Sequence, residues 1–323
     1  MRILVTGATG FLGSRLTRRM LEAGHQVTIL CRPTSSLSRL RGLSIEKFVG
    51  DVTDPGSLRA AIENCDWVIH AAANMSYWRG ETNQQMNVNV LGTGNVARAS
   101  REAGVKRLLH VSSVAAVGIP ADREPANEQF AFNLESAGLT YHLSKRHAEI
   151  EVLREVSLGL NAVIVNPASI QGRSRTIGLM KSVKRSPIVP CFSGGNCIVD
   201  VEDVVDGIMA ALLHGEKGQR YILGGENLTF RELSQKAANA LHLRRSFVSI
   251  PRLATGFAAA VLEPWARMRG STPKVTRMIH YCANRFQYFD SSKARKALGY
   301  APRDVDRILA EILSSAPDFR DPN

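Results

Sequence analysis

The sequence predicts an α/β fold in which a parallel β-sheet is covered by helices on both faces. Short apolar runs alternate with longer segments of helical periodicity through much of the 323-residue chain. Several of these runs end in glycine, small or hydroxyl residues. Strands alternating with helices are typical of a doubly wound parallel sheet. Ligands bind such sheets outside the carboxyl ends of the strands, so the residues after the strands are the site candidates.

The first strand and the loop after it form the clearest element. The run Ile3-Leu4-Val5 predicts a buried strand, and TGATGFLG at residues 6–13 leads directly into a helical pattern. Gly7 permits a tight turn, Gly10 lets the backbone approach a phosphate, and Gly13 lets helix and strand pack closely. The first N–H groups of the helix then face a pyrophosphate. A dinucleotide site is therefore predicted here, with GxxGxxG spacing rather than GxGxxG.

The later elements continue the alternation. We expect strands at residues 26–30, 45–49, 67–70, 108–111, 162–165 and 221–223, and a long helix over 84–103. Asp54-Pro55 predicts a helix start, because Asp caps well and Pro suits the first helical position.

A second motif, Tyr141-His142-Leu143-Ser144-Lys145, places a phenol one helical turn from an ammonium. Free tyrosine has a pKa near 10 and is a poor base at neutral pH. The charge of Lys145, with that of an oxidised nicotinamide, is expected to favour the phenolate. Ser112-Ser113 ends the preceding strand and supplies hydroxyls for the same site.

Together these features resemble the extended short-chain dehydrogenase/reductase superfamily. The resemblance rests on the glycine loop, Asp51, 71–73, 89–93, Ser112-Ser113, Tyr141 with Lys145, and Asn166-Pro167. Residues 32–34, 50–54, 110–115, 220–227 and 290–293 are similar to the bacterial dihydroflavonol-4-reductase-like group. That group includes proteins described as hopanoid-associated sugar epimerases and neighbours the 3β-hydroxysteroid dehydrogenases.

The resemblance implies a Rossmann fold and a division of roles among the site residues. Ser113 would hold the substrate oxygen, with Ser112 as the competing choice, and Tyr141 would be the acid–base group. Lys145 would bond the nicotinamide ribose, Asp51 the adenine amine, and Asn89 would brace its helix. The cofactor-binding candidates are Gly7, Thr9, Gly10, Phe11, Leu12, Gly13, Arg32, Asp51, Val52, Ala71, Ala72, Ala73, Asn89, Lys145, Pro167 and Ser169.

The end of the second strand predicts the cofactor. It reads ILCRPTSS at 29–36, with Arg32 where NAD-binding relatives carry a carboxylate for the ribose 2′-OH. An arginine accommodates a 2′-phosphate, and one charge-assisted bond is worth about 1.5–3 kcal/mol, roughly 10- to 100-fold. We therefore expect NADP(H) to be preferred, with NAD possible. The alternatives are that Arg32 points to solvent or stacks on adenine.

The substrate side is expected to combine a loop with a smaller domain. The substrate candidates are Met75, Tyr77, Trp78 and Arg175, with Ser113 and Tyr141. We assign 1–170, with 192–240 returning, to the Rossmann domain, and 171–191 and 241–315 to a substrate-binding or lid region. The apolar stretch 253–268 is expected to be core, or else an apolar wall for the substrate. Val114-Ala115-Ala116 offers no second acid–base pair, which argues against a dehydratase.

Charge and composition limit the partners. There are 41 Lys and Arg against 29 Asp and Glu, a net charge of +12, but no basic run interleaved with aromatics, so specific nucleic-acid binding is not expected. A solvated basic surface is the first interpretation, and attraction to an anionic cofactor or a peripheral membrane surface the second. Five scattered cysteines, no signal peptide and no spanning segment predict a reduced, cytoplasmic protein. We also expect a monomer or a homodimer, and no metal site.

These observations predict an NAD(P)-dependent oxidoreductase. It would transfer hydride between nicotinamide and a carbonyl or secondary alcohol of a hydrophobic small molecule. One alternative is a nucleotide-sugar 4-epimerase that retains NAD, with Arg173 or Arg175 holding the diphosphate; the missing carboxylate after Leu30 argues against it. A second is a non-catalytic dinucleotide-sensing protein, a class that commonly loses the Tyr or the Lys.

Overall fold

The computed structural model describes residues 1–269, 271, 273 and 275–315. Its strands are β1 (Arg2–Thr6), β2 (Gln26–Cys31), β3 (Glu46–Val49), β4 (Trp67–His70), β5 (Arg107–Val111), β6 (Ala162–Pro167), β7 (Ser169–Gln171), β8 (Ile188–Cys191), β9 (Gly195–Asp200), β10 (Arg220–Leu223), β11 (Glu226–Thr229), β12 (Ser246–Ser249) and β13 (Phe286–Gln287).

The helices alternate with these strands along the first two thirds of the chain. They are α1 (Phe11–Glu22), α2 (Pro55–Ile62), α3 (Thr82–Met86), α4 (Gly92–Glu102), α5 (Thr140–Ser157), α6 (Arg173–Arg185), α7 (Val201–His214), α8 (Phe230–Ala240), α9 (Arg252–Met268), α10 (Arg277–Ala283), α11 (Ser292–Leu298) and α12 (Val305–Ser315). Within the described ranges, every helix is too short or too polar to cross a bilayer.

Seven strands form one parallel sheet in the order β10-β6-β5-β4-β1-β2-β3. Leu16 and Met20 of α1 pack with α7 and α11 on one face, and Leu58 of α2 packs with α4 and α5 on the other. Helices on both faces explain why Ile3, Leu4 and their neighbours are wholly buried. The doubly wound Rossmann fold is confirmed. From β1 the sheet grows through β2 and β3 on one side and through β4, β5 and β6 on the other. The strand order therefore reverses between β1 and β4, and a ligand crevice opens there outside the carboxyl ends of the strands.

Local signals explain where one helix begins, and a π turn shapes another. Asp54 accepts a 3.0 Å hydrogen bond from the Gly56 N–H, and Pro55 is the first residue of α2, as predicted. The single long helix predicted over 84–103 is interrupted by a π-helical turn over Asn87–Leu91. Such turns often mark functional sites, and this one contains the buried Asn89.

A smaller layer covers one end of the main sheet. Strand β9 pairs with β7, β11 and β13, while β8 and β12 form a separate parallel pair. Met180 of α6, Ala237 of α8 and Leu309 of α12 belong to its apolar core. Within the segment 192–240, α7 and β10 lie on the main sheet, whereas α8 packs against α6. The domain boundaries as a whole stay a prediction.

Candidate active site

The glycine loop lies against the end of β4 and leaves the start of α1 open. Gly7 has φ +71°, and a Cβ there would approach the carbonyl carbon of Ala71 to 2.5 Å. A Cβ at Gly13 would collide with the Gly7 carbonyl. The α1 N-cap is Gly10, which offers no side-chain cap, so the first N–H groups of α1 face the crevice. Close backbone approach and uncapped donors fit the pyrophosphate of a dinucleotide.

The other predicted cofactor residues follow neighbouring strands at the same edge of the sheet. Asp51, after β3, accepts hydrogen bonds from the Thr53 N–H (2.9 Å) and hydroxyl (2.8 Å). Val52 is buried, and Ala71 continues β4 with a 3.2 Å bond to the Thr6 carbonyl. Ala72 and Ala73 also follow β4. Pro167 is the last residue of β6, and Ser169 is the first residue of β7. Their contacts with a cofactor stay a prediction.

Two arginines follow β2 near the glycine loop. The Arg32 side chain is exposed, and its backbone N–H donates to the Ser35 hydroxyl at 3.2 Å. Arg39 reaches the Thr9 carbonyl at 3.4 Å. Arg39 was not among the predicted cofactor residues, although it lies in the same basic, serine-rich segment after β2. Its guanidinium lies at the glycine loop, whereas the Arg32 side chain is exposed to solvent.

One buried face of α5 carries Tyr141, Lys145 and Glu149 at successive four-residue spacings. The Lys145 Nζ donates a 2.9 Å hydrogen bond to the Val111 carbonyl at the end of β5. Burial lowers the pKa of Lys145 to about 8, because a desolvated ammonium is penalised, while the Glu149 charge partly opposes that effect.

The Tyr141 phenol is buried beside Ser113. Burial raises the pKa of Tyr141 well above its usual value, Tyr77 adds to that shift, and a hydrogen bond with Ser113 acts against it. The expectation that Lys145 and an oxidised nicotinamide together favour the phenolate stays a prediction. In this structure Lys145 donates to the Val111 carbonyl, and loss of water around the phenol is the largest influence on the Tyr141 pKa.

The two serines at the end of β5 point to different places. Ser113 lines the cavity with Tyr141, whereas the Ser112 hydroxyl donates a 2.6 Å bond to Glu149. Of the two serine candidates, Ser113 therefore lies beside the phenol.

Glu149 is a central residue that the sequence analysis did not identify. Its carboxylate accepts hydrogen bonds from Ser112 at 2.6 Å and from the Asn166 amide at 2.5 Å. It also pairs with Arg220 of β10 at 3.2 Å. The network ties α5 to the ends of β5, β6 and β10. Its signal was present in the sequence, because Glu149 follows Lys145 at the spacing that puts both on one helix face.

Asn89 braces the loop after β4. Its amide accepts from the Asn74 N–H at 2.7 Å and donates to the Asn74 carbonyl and the Ser144 hydroxyl, each at 2.9 Å. These bonds connect the π turn to the loop after β4 and to α5. These bonds fit a bracing role for Asn89, and its place among the cofactor-binding residues stays a prediction.

A cavity of about 280 Å³ opens at Ser113 and Tyr141. Aromatic, aliphatic and cysteine side chains form most of its remaining wall, including Phe192, Phe230, Met278, Ile279, Cys282 and Phe289. Several of these come from α10 and the segment after β13, which sequence periodicity could not connect with Tyr141. The cavity is therefore largely apolar, with the hydroxyls of Ser113 and Tyr141 and a few further polar side chains, among them Ser169, Asn196 and Gln287, in its wall.

The structure separates the other substrate candidates. The Tyr77 ring lines the cavity, with its ring centroid 5.7 Å from that of Tyr141. Met75 is 61% exposed, and Met75 and Trp78 are absent from the cavity wall in the described structure. Arg175 is exposed and donates to the Ile170 carbonyl at 3.2 Å. Among the described side chains, helix α9 (252–268) supplies no wall residue, and five of its large apolar side chains are exposed.

The chain is similar to known proteins over most of its length. Residues 3–224 match the model of the NAD dependent epimerase/dehydratase family. The chain is 33% identical to the sterol demethylase protein B of Methylococcus capsulatus, over 97% of this chain and 98% of that protein. It is 29% identical to the 2-alkyl-3-oxoalkanoate reductase of Stenotrophomonas maltophilia, over 98% and 99% of the two chains.

A solved structure, that of the protein gox2253, superposes with a TM-score of 0.80 at 35% identity, covering 97% of this chain and 96% of that one. Relatives in the family are NAD(P)-dependent reductases, dehydrogenases and epimerases, and this chain is an enzyme of that type. The chain belongs to the NAD dependent epimerase/dehydratase family, the extended short-chain dehydrogenases/reductases.

Proposed function

We propose that this protein reduces a carbonyl group of a hydrophobic small molecule, with NADPH as the hydride donor. The observation that supports it best is the cavity, because an apolar wall surrounds the paired hydroxyls of Ser113 and Tyr141. Apolar walls with few converging polar groups are typical of sites for hydrophobic ligands. Two relatives are named for a sterol and for a 2-alkyl-3-oxoalkanoate, which is in keeping with such a substrate.

Tyr141 would be the proton donor of this reduction. A phenol is protonated at neutral pH, and that of Tyr141 lies beside Ser113 at the cavity, so it would donate its proton to the oxygen of the carbonyl that gains hydride. Ser113 would donate a hydrogen bond to the same oxygen and hold it beside the phenol. A nicotinamide cofactor at the glycine loop would supply the hydride. Lys145 would orient the cofactor and lend positive charge beside Tyr141.

The cofactor preference rests on Arg32 and Arg39. Both lie at the end of β2 and its following turn, where no carboxylate is available to accept from a ribose 2′-OH. Two guanidinium groups suit a 2′-phosphate, since arginine binds phosphate through a fork of parallel donors.

The second candidate is a nucleotide-sugar 4-epimerase, favoured by Arg175. This exposed guanidinium acts electrostatically on the Tyr77 phenol at the cavity, where it could pair with a diphosphate. The largely apolar wall argues against a sugar, because Ser169, Asn196 and Gln287 offer few partners for the several hydroxyls that would lose water there.

Cofactor exchange separates the two candidates. A reductase must exchange its cofactor at every turnover, so the purified, dialysed protein should oxidise NADPH only when an apolar ketone is added. A panel of ketones followed by loss of nicotinamide absorbance tests this. Stoichiometric NAD retained through purification, with interconversion of a UDP-sugar pair in the absence of added cofactor, would establish the epimerase instead.

A further inference from the structure

Most of the large apolar side chains of helix α9 are exposed, whereas Leu262 is half-buried. Five large residues on this helix are between 47% and 88% exposed: Leu253, Phe257, Val261, Trp265 and Met268. They recur at spacings of four, four, four and three residues, so they lie on one side of the helix. We call these five residues the α9 face.

The opposite side of α9 is held by small residues. Thr255, Ala259 and Ala266 are buried, and the Thr255 hydroxyl lies 2.7 Å from Nδ1 of His280 on α10. A surface helix ordinarily turns its large apolar residues inward. Single exposed apolar residues need no explanation, but a contiguous row marks a surface that binds something apolar.

Positive charge accompanies the α9 face. Arg252 is exposed at the first turn, and the Arg269 guanidinium lies 4.1 Å from the Trp265 ring centroid. The carboxylate of α9, Glu263, is 12% exposed and pairs with Arg277 at 3.4 Å. The apolar row is therefore bounded by cations, in a chain whose net charge is +12.

We propose that the α9 face docks this protein on an anionic lipid bilayer. A helix with an apolar side and cationic ends lies in the plane of the membrane interface, with its apolar side among the acyl chains and its arginines at the phosphates. Trp265 with its neighbouring arginine suits the headgroup boundary. Antiparallel packing of two copies along the row would bring Arg252 of one near Arg269 of the other, so like charges oppose a dimer there.

The position of α9 gives the docking a consequence for the cavity. Helix α9 packs on α10, and α10 supplies Met278, Ile279 and Cys282 to the cavity wall. Docking would bring that wall close to the bilayer and let an apolar substrate enter from the lipid. This consequence rests on the proposed function, whereas the binding itself does not.

Cosedimentation with vesicles tests the docking. The full chain is mixed with vesicles of phosphatidylcholine alone or with about one third phosphatidylglycerol. The α9 variant combines Leu253→Glu with Phe257→Glu. The control combines Leu158→Glu with Leu213→Glu, which adds the same charge outside α9 at residues that are 60% and 57% exposed. We expect binding to the anionic vesicles, weakened at least about tenfold in the α9 variant and unchanged in the control.

Trp265 gives an independent readout. Its fluorescence should shift to shorter wavelength on anionic vesicles, and Trp265→Phe should abolish the shift while binding persists. Absence of binding to anionic vesicles, or equal binding by the α9 and control variants, would overturn the proposal. A dimer in size-exclusion chromatography that the α9 variant dissociates, without vesicle binding, would identify a second copy as the occupant. Tyr141→Phe should bind vesicles as the wild type does. Failure of the proposed reaction can therefore be told apart from failure of membrane docking.

Discussion

The rings of Tyr77 and Tyr141 meet edge to face, with centroids 5.7 Å apart and an interplanar angle of 76°. Tyr77 comes from the loop after β4, which Asn89 braces, and Tyr141 from the first turn of α5. The contact places one aromatic ring of the cavity wall against the proton-donating candidate. Tyr77 also adds to the raised pKa of the Tyr141 phenol.

Tyr141→Phe should lower turnover by at least about 100-fold, the usual scale for proton transfer by a positioned group. The ring and its contact with Tyr77 are kept, so cofactor affinity should change little. Steady-state NADPH oxidation and cofactor titration measure the two effects. Tyr300→Phe is the matched control, because Tyr300 is also a buried tyrosine and lies outside the cavity wall. Near-wild-type turnover by Tyr141→Phe would exclude the assignment.

Arg32→Ala and Arg39→Ala should each reduce the preference for NADP(H) over NAD(H) by about tenfold, since each removes a guanidinium expected at the 2′-phosphate. Fluorescence titration of both cofactors measures the ratio. Arg59→Ala, at an exposed arginine on α2, makes the same change in net charge and should leave the ratio unaltered. Tighter binding of NAD(H) by the wild type would contradict the prediction.

Glu149→Ala should lower the free energy of unfolding by about 3–5 kcal/mol, because it leaves Arg220 and two buried polar groups without their shared partner. Glu22→Ala removes a 60% exposed carboxylate with a 3.9 Å ion pair and should cost less than about 1 kcal/mol. Chemical denaturation of both variants gives the comparison. Equal losses would show that the Glu149 network does not hold the strand ends together.

Lys145 should make stability rise with pH between about pH 8 and pH 10. Burial holds the folded-state pKa at about 8, whereas the unfolded chain keeps the ordinary value of 10.5. In that window the unfolded state binds a proton that the folded state has released, so the free energy of unfolding increases with pH. Lys145→Met removes this increase, and Lys47→Met, at an exposed lysine, should retain it. Denaturation curves at about pH 8 and about pH 10 measure the effect. An equal rise in the free energy of unfolding for wild type and Lys145→Met would contradict the prediction.

Local sequence patterns were sufficient for most of the fold. Apolar runs and capping residues predicted the strands of the main sheet, and Asp54-Pro55 predicted the start of α2. The long helix over 84–103 was predicted as one piece, because residue propensities carry no signal for a π turn. The turn contains Asn89, whose bonds to the Asn74 backbone and to Ser144 join segments distant in the chain.

By itself, the sequence determined that this protein is a Rossmann-type enzyme of the extended short-chain family, because strand–helix periodicity and the glycine loop act over a few neighbouring residues. Only the tertiary structure decided which serine lies beside Tyr141, which residues wall the cavity, and that Glu149 joins three strand ends. It also placed the large residues of α9 outside, where the sequence predicted core or cavity wall. Periodicity identifies the apolar side of a helix, but burial depends on which other elements pack against that side.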